Sequence, residues 1–256
     1  MTVIPIAVQM YSLREESEKD FAGTLKKVAE LGFAGVEFAG LGGLTATEVR
    51  VLLDDLGLKA ASSHVPLVEL KHNLAQVIED QKILGSTYIV CPYLMPDQRS
   101  EEDYNTLIPW LDEAGETCLR EGITLCYHNH DFELERMSDG RMALEAIFDD
   151  TNADYVKAEP DIYWLTKAGE KPVEWLNRYK NRTPLVHLKD MTTDGEQFFA
   201  ELGTGGVDIE AVLTIGEEVG VQWWVIEQDL SRTTSFESME ISIRYLKKKL
   251  PYLLNK

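Results

Sequence analysis

Cysteine, histidine, basic residues and long apolar runs are all scarce in this chain of 256 residues, and each scarcity removes a class of protein. The three cysteines, Cys91, Cys118 and Cys126, are odd in number, lack metal-type spacing and lie in apolar surroundings. Buried reduced thiols are expected from them, not a disulfide framework. Lys and Arg total 25 against 44 Asp and Glu, a formal net charge of −19. That balance repels a phosphate backbone, and no basic stripe offsets it locally, so nucleic acid is not an expected partner. The acidic residues are spread over helix surfaces and read as solvated faces. No stretch approaches the roughly 20 continuous apolar residues of a membrane helix. The first residues, MTVIPIAVQMYSLREE, carry neither a basic n-region nor a small-residue cleavage site, so a soluble, cytoplasmic protein with no membrane partner is expected. No GxGxxG follows the first β-rich run, and GTGG (203–206) follows no clear strand, which leaves the dinucleotide-binding open sheet little support. No linker, low-complexity tract or charge block divides the chain, so 1–256 is expected to be one domain.

What is present is a repeat of β-rich and helical stretches. Eight short runs read as strands: IPIAVQM (4–10), AGVEFA (34–39), LKAASSH (58–64), STYIVCPY (86–93), ITLCYHNH (123–130), YVKAEPD (155–161), TPLVHLKD (183–190) and WWVIEQD (223–229). Several are continuously apolar, as strands buried on both faces of a parallel sheet should be. Helical spacing fills the gaps at 20–32, 45–57, 68–85, 100–122 and 208–220, with weaker segments at 140–150 and 171–180. Most of the five begin near a Ser, Thr or Asp able to cap them, and each ends on Gly. The phrases LGF, LGL, LGS, EGI and VGV each sit just before a strand, marking one repeated helix-to-strand joint. Strict alternation with right-handed crossovers implies a parallel sheet, and eight units favour closure into an α/β (β/α)8 barrel of about 250 residues.

The C-terminal ends of these strands carry Gln9, Glu37, His64, Tyr93, His128, His130, Asp161, His187, Lys189, Asp190 and Glu227. In a barrel those ends meet on the face where active sites of this fold lie. Four of the five histidines fall there, while His72 sits in a helical segment that should expose it. Asp161, His187 and Glu227, from strands six, seven and eight, supply two carboxylates and an imidazole, suited to one divalent ion such as Mn2+, Mg2+, Co2+ or Zn2+. Carboxylates in apolar strands such as VIEQD are costly to bury without a cation or hydrogen-bond donors. For the fourth ligand, His128 at the end of strand five competes with Glu133 in the following loop.

These residues resemble the sugar phosphate isomerase/epimerase family of xylose isomerase-like TIM barrels. The resemblance runs along nearly the whole chain and is carried by VQMYSLR, GFAGVEFAG, YHNHDFE, EPDIYW, VHLKDM, FAELGTGGVDI and VIEQD. It implies a metal site of Glu, Asp, His and Glu at four strand ends. Asp161, His187 and Glu227 match the last three; in place of the first Glu this sequence has His128, with Glu133 five residues further on. In ketose 3-epimerases that look like this family, two glutamates work from opposite faces of the substrate carbon. The departure at His128 leaves inosose dehydration, keto-sugar epimerisation and keto-glycoside lyase chemistry open beside ketose epimerisation.

The chemistry expected is isomerisation or epimerisation of a sugar, keto-sugar or sugar phosphate through a metal-stabilised enediolate. Glu227 is the leading base, Glu133 or His128 its partner, and Lys189 a group to stabilise negative charge, unless it only pairs with a neighbouring acid such as Asp190. His64, Glu37 and His130 are expected to bind substrate hydroxyls or brace ligands, and Tyr163 and Trp164 to wall the sugar ring. GTGGVD (203–208) could present N–H groups to a phosphate, or could simply be a loop with Asp208 as helix cap. A small carbohydrate is therefore the expected partner, with a homo-oligomer left open. Two other readings stand beside it. An endonuclease IV-like DNA repair enzyme needs more metal ligands and a basic face; a non-catalytic sugar-binding barrel needs no metal at all.

Overall fold

A computed structural model describes residues 4–253. The barrel strands are β1 (Ile6–Gln9), β2 (Gly35–Phe38), β3 (Lys59–His64), β4 (Tyr88–Cys91), β5 (Thr124–His128), β6 (Val156–Glu159), β7 (Leu185–Leu188) and β10 (Trp223–Ile226). All neighbouring strands pair in parallel in the order β6-β5-β4-β3-β2-β1-β10-β7. The ring is drawn shut between β6 and β7 by a parallel bridge at Asp161 and His187, where the His187 N–H donates to the Pro160 carbonyl at 3.0 Å. The eight strand runs read from the sequence all occur, each shorter than its apolar run. Between β7 and β10 lies a ribbon the sequence did not reveal, β8 (Asp190–Met191) antiparallel to β9 (Phe199–Ala200).

The helices are α1 (Arg14–Lys19), α2 (Phe21–Leu31), α3 (Ala46–Leu56), α4 (Leu67–Leu84), α5 (Glu101–Arg120), α6 (Ala143–Asp149), α7 (Ile162–Lys167), α8 (Pro172–Arg178), α9 (Ile209–Val219) and α10 (Ser235–Leu253). Their starts follow local chemistry. Asp20 accepts from Gly23 N–H, Thr45 and Ser100 form capping boxes with Glu48 and Asp103, and Asp208 accepts from Ala211 N–H. Each such cap stabilises a helix by about 1 kcal/mol. Gly57 ends α3 at φ 67°, in the left-handed region that satisfies the last carbonyls and turns the chain into β3.

The helices cover the outside of the ring with two large apolar clusters, one behind β1, β2, β7 and β10 and one behind β4, β5 and β6. Trp224 belongs to the first; a Cβ on Gly216 of α9 would lie 2.3 Å from its ring, so only glycine lets this helix approach β10. Inside the ring the lower layer is small and apolar: Ala7, Ala61 and Val225 in one group, Val90, Cys126 and Leu185 in another. Two residues further along four of these strands come Gln9, His128, His187 and Glu227. The period of two along a strand keeps them on the same inward side, so a polar layer sits on an apolar plug. All three cysteines are buried and free. Among the described residues no helix is long and apolar enough to cross a membrane.

Candidate functional site

The polar layer converges on His187, which is fully buried. Its Nε2 lies 2.6 Å from Glu37 Oε1 and its Nδ1 lies 2.8 Å from Glu227 Oε2. Glu37 is held in turn by Gln9 Nε2 at 2.7 Å and by the Ser62 hydroxyl. On the other side of the cluster, His64 Nε2 lies 3.0 Å from Glu37 Oε1 and 2.8 Å from Glu159 Oε2. His128, on β5, places Nδ1 3.5 Å from Glu159 Oε2 and Nε2 4.0 Å from Asp161 Oδ2. Asp161 caps α7: its Oδ1 accepts from the backbone N–H groups of Tyr163 and Trp164, and its own N–H donates to Asn129 Oδ1 at 3.1 Å.

Lys189 is buried with its ammonium among three carboxylates, 2.7 Å from Glu227 Oε2, 3.0 Å from Asp161 Oδ2 and 3.0 Å from Asp229 Oδ1. It makes no pair with Asp190, whose carboxylate instead accepts from the N–H groups of Met191, Gly203, Gly205 and Val207. That arrangement corrects the phosphate-cradle option for GTGGVD. The amides of Gly203, Gly205 and Val207 are spent on this carboxylate and those of Thr204 and Gly206 on the Glu201 and Met191 carbonyls, a Cβ on Gly205 would lie 2.3 Å from Asp190 Oδ1, and Asp208 caps α9.

Burial and charge oppose each other throughout this layer. Burial works against the Glu227 carboxylate, but the Lys189 and His187 charges outweigh it and hold its pKa below the usual carboxylate range. Glu37 is likewise held low, His64 and His187 overcoming its burial. Burial alone would neutralise His64, yet Glu37 and Glu159 raise its pKa to about 9. His128 is pushed down by burial and by His187 and His64, and is therefore neutral with a lone pair to offer. Burial dominates at Glu159 and Asp161 and raises both.

Four ligand atoms, one each from His128, Asp161, His187 and Glu227, lie within 4.8 Å of one another. Asp161 Oδ2 is buried without a hydrogen-bond partner, although Lys189 stands close by. A divalent ion suits this set. Two carboxylate oxygens and two imidazole nitrogens form a borderline-to-hard donor set, and Asp161 Oδ2 makes no hydrogen bond beyond its ion pair with Lys189, which leaves a lone pair for an ion. Glu37 on His187 Nε2 would leave Nδ1 as the nitrogen turned toward the ion, the usual outer-shell arrangement for a ligating histidine.

Glu133 is not part of this assembly. Its two oxygens accept from the Tyr127 hydroxyl at 2.9 Å and from the His130 backbone N–H at 2.8 Å, and its burial raises its pKa to about 8. The turn after β5 rolls its side chain behind the strand, so it braces the segment that carries His130 and lies off the mouth. Above the cluster opens a cavity of about 700 Å3 lined by Tyr11, Ala39, Gly40, His64, Pro66, Pro92, Tyr93, His128, His130, Glu227 and Asp229. His64, His128, His130 and Glu227 reach it as expected. Glu37 is fully buried beneath it and braces His187 and His64. Trp164 packs its ring 5.3 Å from His130, whereas Tyr163 turns inward, stacks on Phe199 and donates its hydroxyl to the Gln197 carbonyl. His72 is exposed on α4, away from the cluster.

Three residues of the cluster were missed by sequence reasoning. Glu159 lies two residues before Asp161, a spacing that the period of two could have revealed. Asp229 lies two residues after Glu227, within reach of the same period, and Ser62 carried no signal.

The sequence profile of the xylose isomerase-like TIM barrel family matches residues 25–249. Among curated proteins, the chain is 24% identical to an inosose dehydratase of Geobacillus kaustophilus, over 90% of this chain and 87% of that protein. It is 27% identical to an inosose dehydratase of Clostridium beijerinckii over 59% of this chain and 56% of that protein, so this match spans just over half of that relative's length. A crystal structure of a sugar phosphate isomerase/epimerase from Parabacteroides distasonis superposes with a TM-score of 0.78 at 26% identity, covering 96% of this chain and 94% of that one. Strand order, strand-end chemistry and the span of the profile match agree, and the chain belongs to the xylose isomerase-like TIM barrel family.

Proposed function

We propose that the chain is a divalent-metal-dependent enzyme that removes the proton next to the carbonyl of a sugar, keto-sugar or sugar phosphate. His128, Asp161, His187 and Glu227 would hold the ion. When bound, the ion polarises the carbonyl and raises the acidity of the neighbouring C–H. The observation that carries this reading is the convergence of those four ligand atoms within 4.8 Å of one another, below a cavity able to hold a sugar.

The side chains then divide the work. Glu227 lines the cavity and is kept ionised by Lys189 and His187, so it is the carboxylate placed to accept the proton. Lys189, held in place by Asp161, Glu227 and Asp229, would supply a preorganised positive charge next to Glu227 as negative charge develops on the substrate. His130, pushed to about 3 by burial and Lys189, stays neutral and offers hydrogen bonds to hydroxyl groups. Tyr93 on the cavity wall gives the sugar ring an apolar face, and Trp164 packs behind His130 there.

Return of the proton gives an isomerase or epimerase; loss of the hydroxyl on the next carbon gives a dehydratase. The placement of Glu133 favours the second outcome, because a carboxylate facing Glu227 across the substrate is what two-glutamate epimerisation needs, and Glu133 is held behind β5. The inosose dehydratase relatives point the same way. The test is incubation of Mn2+-loaded protein with ketohexoses and keto-inositols in D2O. Deuterium gain with substrate retained identifies an epimerase or isomerase, and an enone chromophore identifies a dehydratase. Neither change, at full Mn2+ occupancy, would leave the sugar-binding reading.

A further inference from the structure

Beneath the four residues assigned to the ion lies a second convergence that the proposed chemistry does not use. Glu159 Oε2 is surrounded by three imidazole nitrogens: His64 Nε2 at 2.8 Å, His128 Nδ1 at 3.5 Å and His187 Nε2 at 3.5 Å. One ligand atom from each of these four residues lies within 4.8 Å of the others. Glu159 is fully buried, and both its Oε1 and His128 Nδ1 lack a hydrogen-bond partner. A tetrahedral ion with bonds of about 2.0–2.1 Å sets its ligand atoms about 3.3 Å apart, close to the 2.8–3.5 Å that separate Glu159 Oε2 from the three nitrogens. Three imidazoles and one carboxylate favour a borderline ion such as Zn2+ or Co2+, whereas Mn2+ and Mg2+ favour the more oxygen-rich set above.

The two sets share two rings but use opposite nitrogens. The outer set takes His187 through Nδ1, 2.8 Å from Glu227, and the inner set takes it through Nε2. His128 alternates likewise, with Nε2 toward Asp161 and Nδ1 toward Glu159. Filling both seats at once would require both rings to lose both protons. We propose that the barrel mouth contains an inner cation seat, formed by His64, His128, Glu159 and His187, that takes zinc-like ions in place of the outer ion. Zinc then inhibits by occupying the shared imidazoles. The exclusion of the outer ion rests on the outer seat proposed above; the inner seat stands without it.

Co2+ is the probe, because four-coordinate Co2+ absorbs visible light strongly and six-coordinate Co2+ weakly. Metal-free wild-type protein should give the four-coordinate spectrum. Glu159→Gln and His64→Gln should each lose that spectrum and weaken Zn2+ and Co2+ binding by about tenfold or more. Mn2+ affinity, read from the electron paramagnetic resonance of the free ion, should be unchanged in both, since Glu37 and not Glu159 hydrogen-bonds His187 Nε2. Thermal unfolding checks that the variants fold, and His64→Gln, at a partly open position, carries the test if Glu159→Gln does not. A six-coordinate spectrum in wild type would overturn the inner seat. So would a four-coordinate spectrum that survives in the folded variants but disappears in Glu227→Gln. Failure of wild type to bind Mn2+ while the four-coordinate Co2+ spectrum persists would instead remove the outer seat and leave the inner one.

Discussion

Replacing Lys189 with methionine keeps an unbranched side chain, one atom shorter, and removes its charge. The ammonium is buried, 1% exposed, and touches Asp161, Glu227 and Asp229. Its loss strips the ammonium from all three carboxylates and leaves Glu227 with His187 alone, and stripping one partner from a buried ion pair costs about 3–5 kcal/mol. For a chain of this size each kcal/mol moves Tm by about 2–4 °C, so Lys189→Met in EDTA should melt roughly 6–20 °C below wild type at pH 7. An ion bound at Asp161 and Glu227 would replace the missing charge, so Mn2+ should raise the Tm of the variant more than that of wild type. Acidification should narrow the gap as well, because protonated carboxyls need no counter-charge. The assay is differential scanning calorimetry in EDTA and in Mn2+, from pH 5 to pH 8. A variant that melts with wild type in EDTA, or that gains no more from Mn2+, would show that Lys189 is not the charge balancing this cluster.

Other consequences can be measured independently. Glu133 has a folded pKa raised to about 8, so the folded state binds a proton that the unfolded chain has released. Its contribution becomes increasingly unfavourable as pH rises from the unfolded carboxyl range toward 8, by on the order of a few kcal/mol, and then levels off. Glu133→Gln, which mimics the protonated form, should flatten urea stability across that window and exceed wild type at pH 9; a variant that tracks wild type at every pH contradicts this. His64, raised to about 9, acts in the same direction: its stabilisation is complete below the unfolded value near 6.5 and is lost as pH climbs through 9. His64→Gln should therefore remove part of the loss in stability between those limits, as read by urea unfolding. Asp190→Ala frees four backbone N–H groups in and beside the 203–207 loop and should cost about 3–5 kcal/mol, with faster amide exchange there. Gly216→Ala drives a methyl group into Trp224 and should cost about 1–3 kcal/mol in urea unfolding with little change at the mouth.

The barrel was legible because its signals are local. Apolar runs, capping residues and terminal glycines each state their own element, and their strict alternation states the topology. The ribbon β8–β9 and the short helix α7 were not legible, since four ribbon residues and one and a half helical turns carry no period to detect. In the polar layer, strand ends identified His64, His128, Asp161, His187 and Glu227 because position along a strand fixes both height and facing. Glu133, which the sequence offers from the loop after β5 as a rival to His128 and as a partner base, lies outside the polar layer. It lies past the end of β5, where the period of two no longer applies, and the turn sends its side chain to Tyr127. Glu37 was located on the right strand, but its burial beneath His187 depends on neighbours from three other strands. Such partners are set by closure of the ring and cannot be read from any one segment.

The most direct measurement of the central claim is an anomalous-scattering map from crystals soaked in Mn2+ without zinc. One ion should appear at the mouth, with His128, Asp161, His187 and Glu227 each supplying an atom at about 2.0–2.3 Å. No ion there, or one that Asp161 and Glu227 do not touch, would contradict the account.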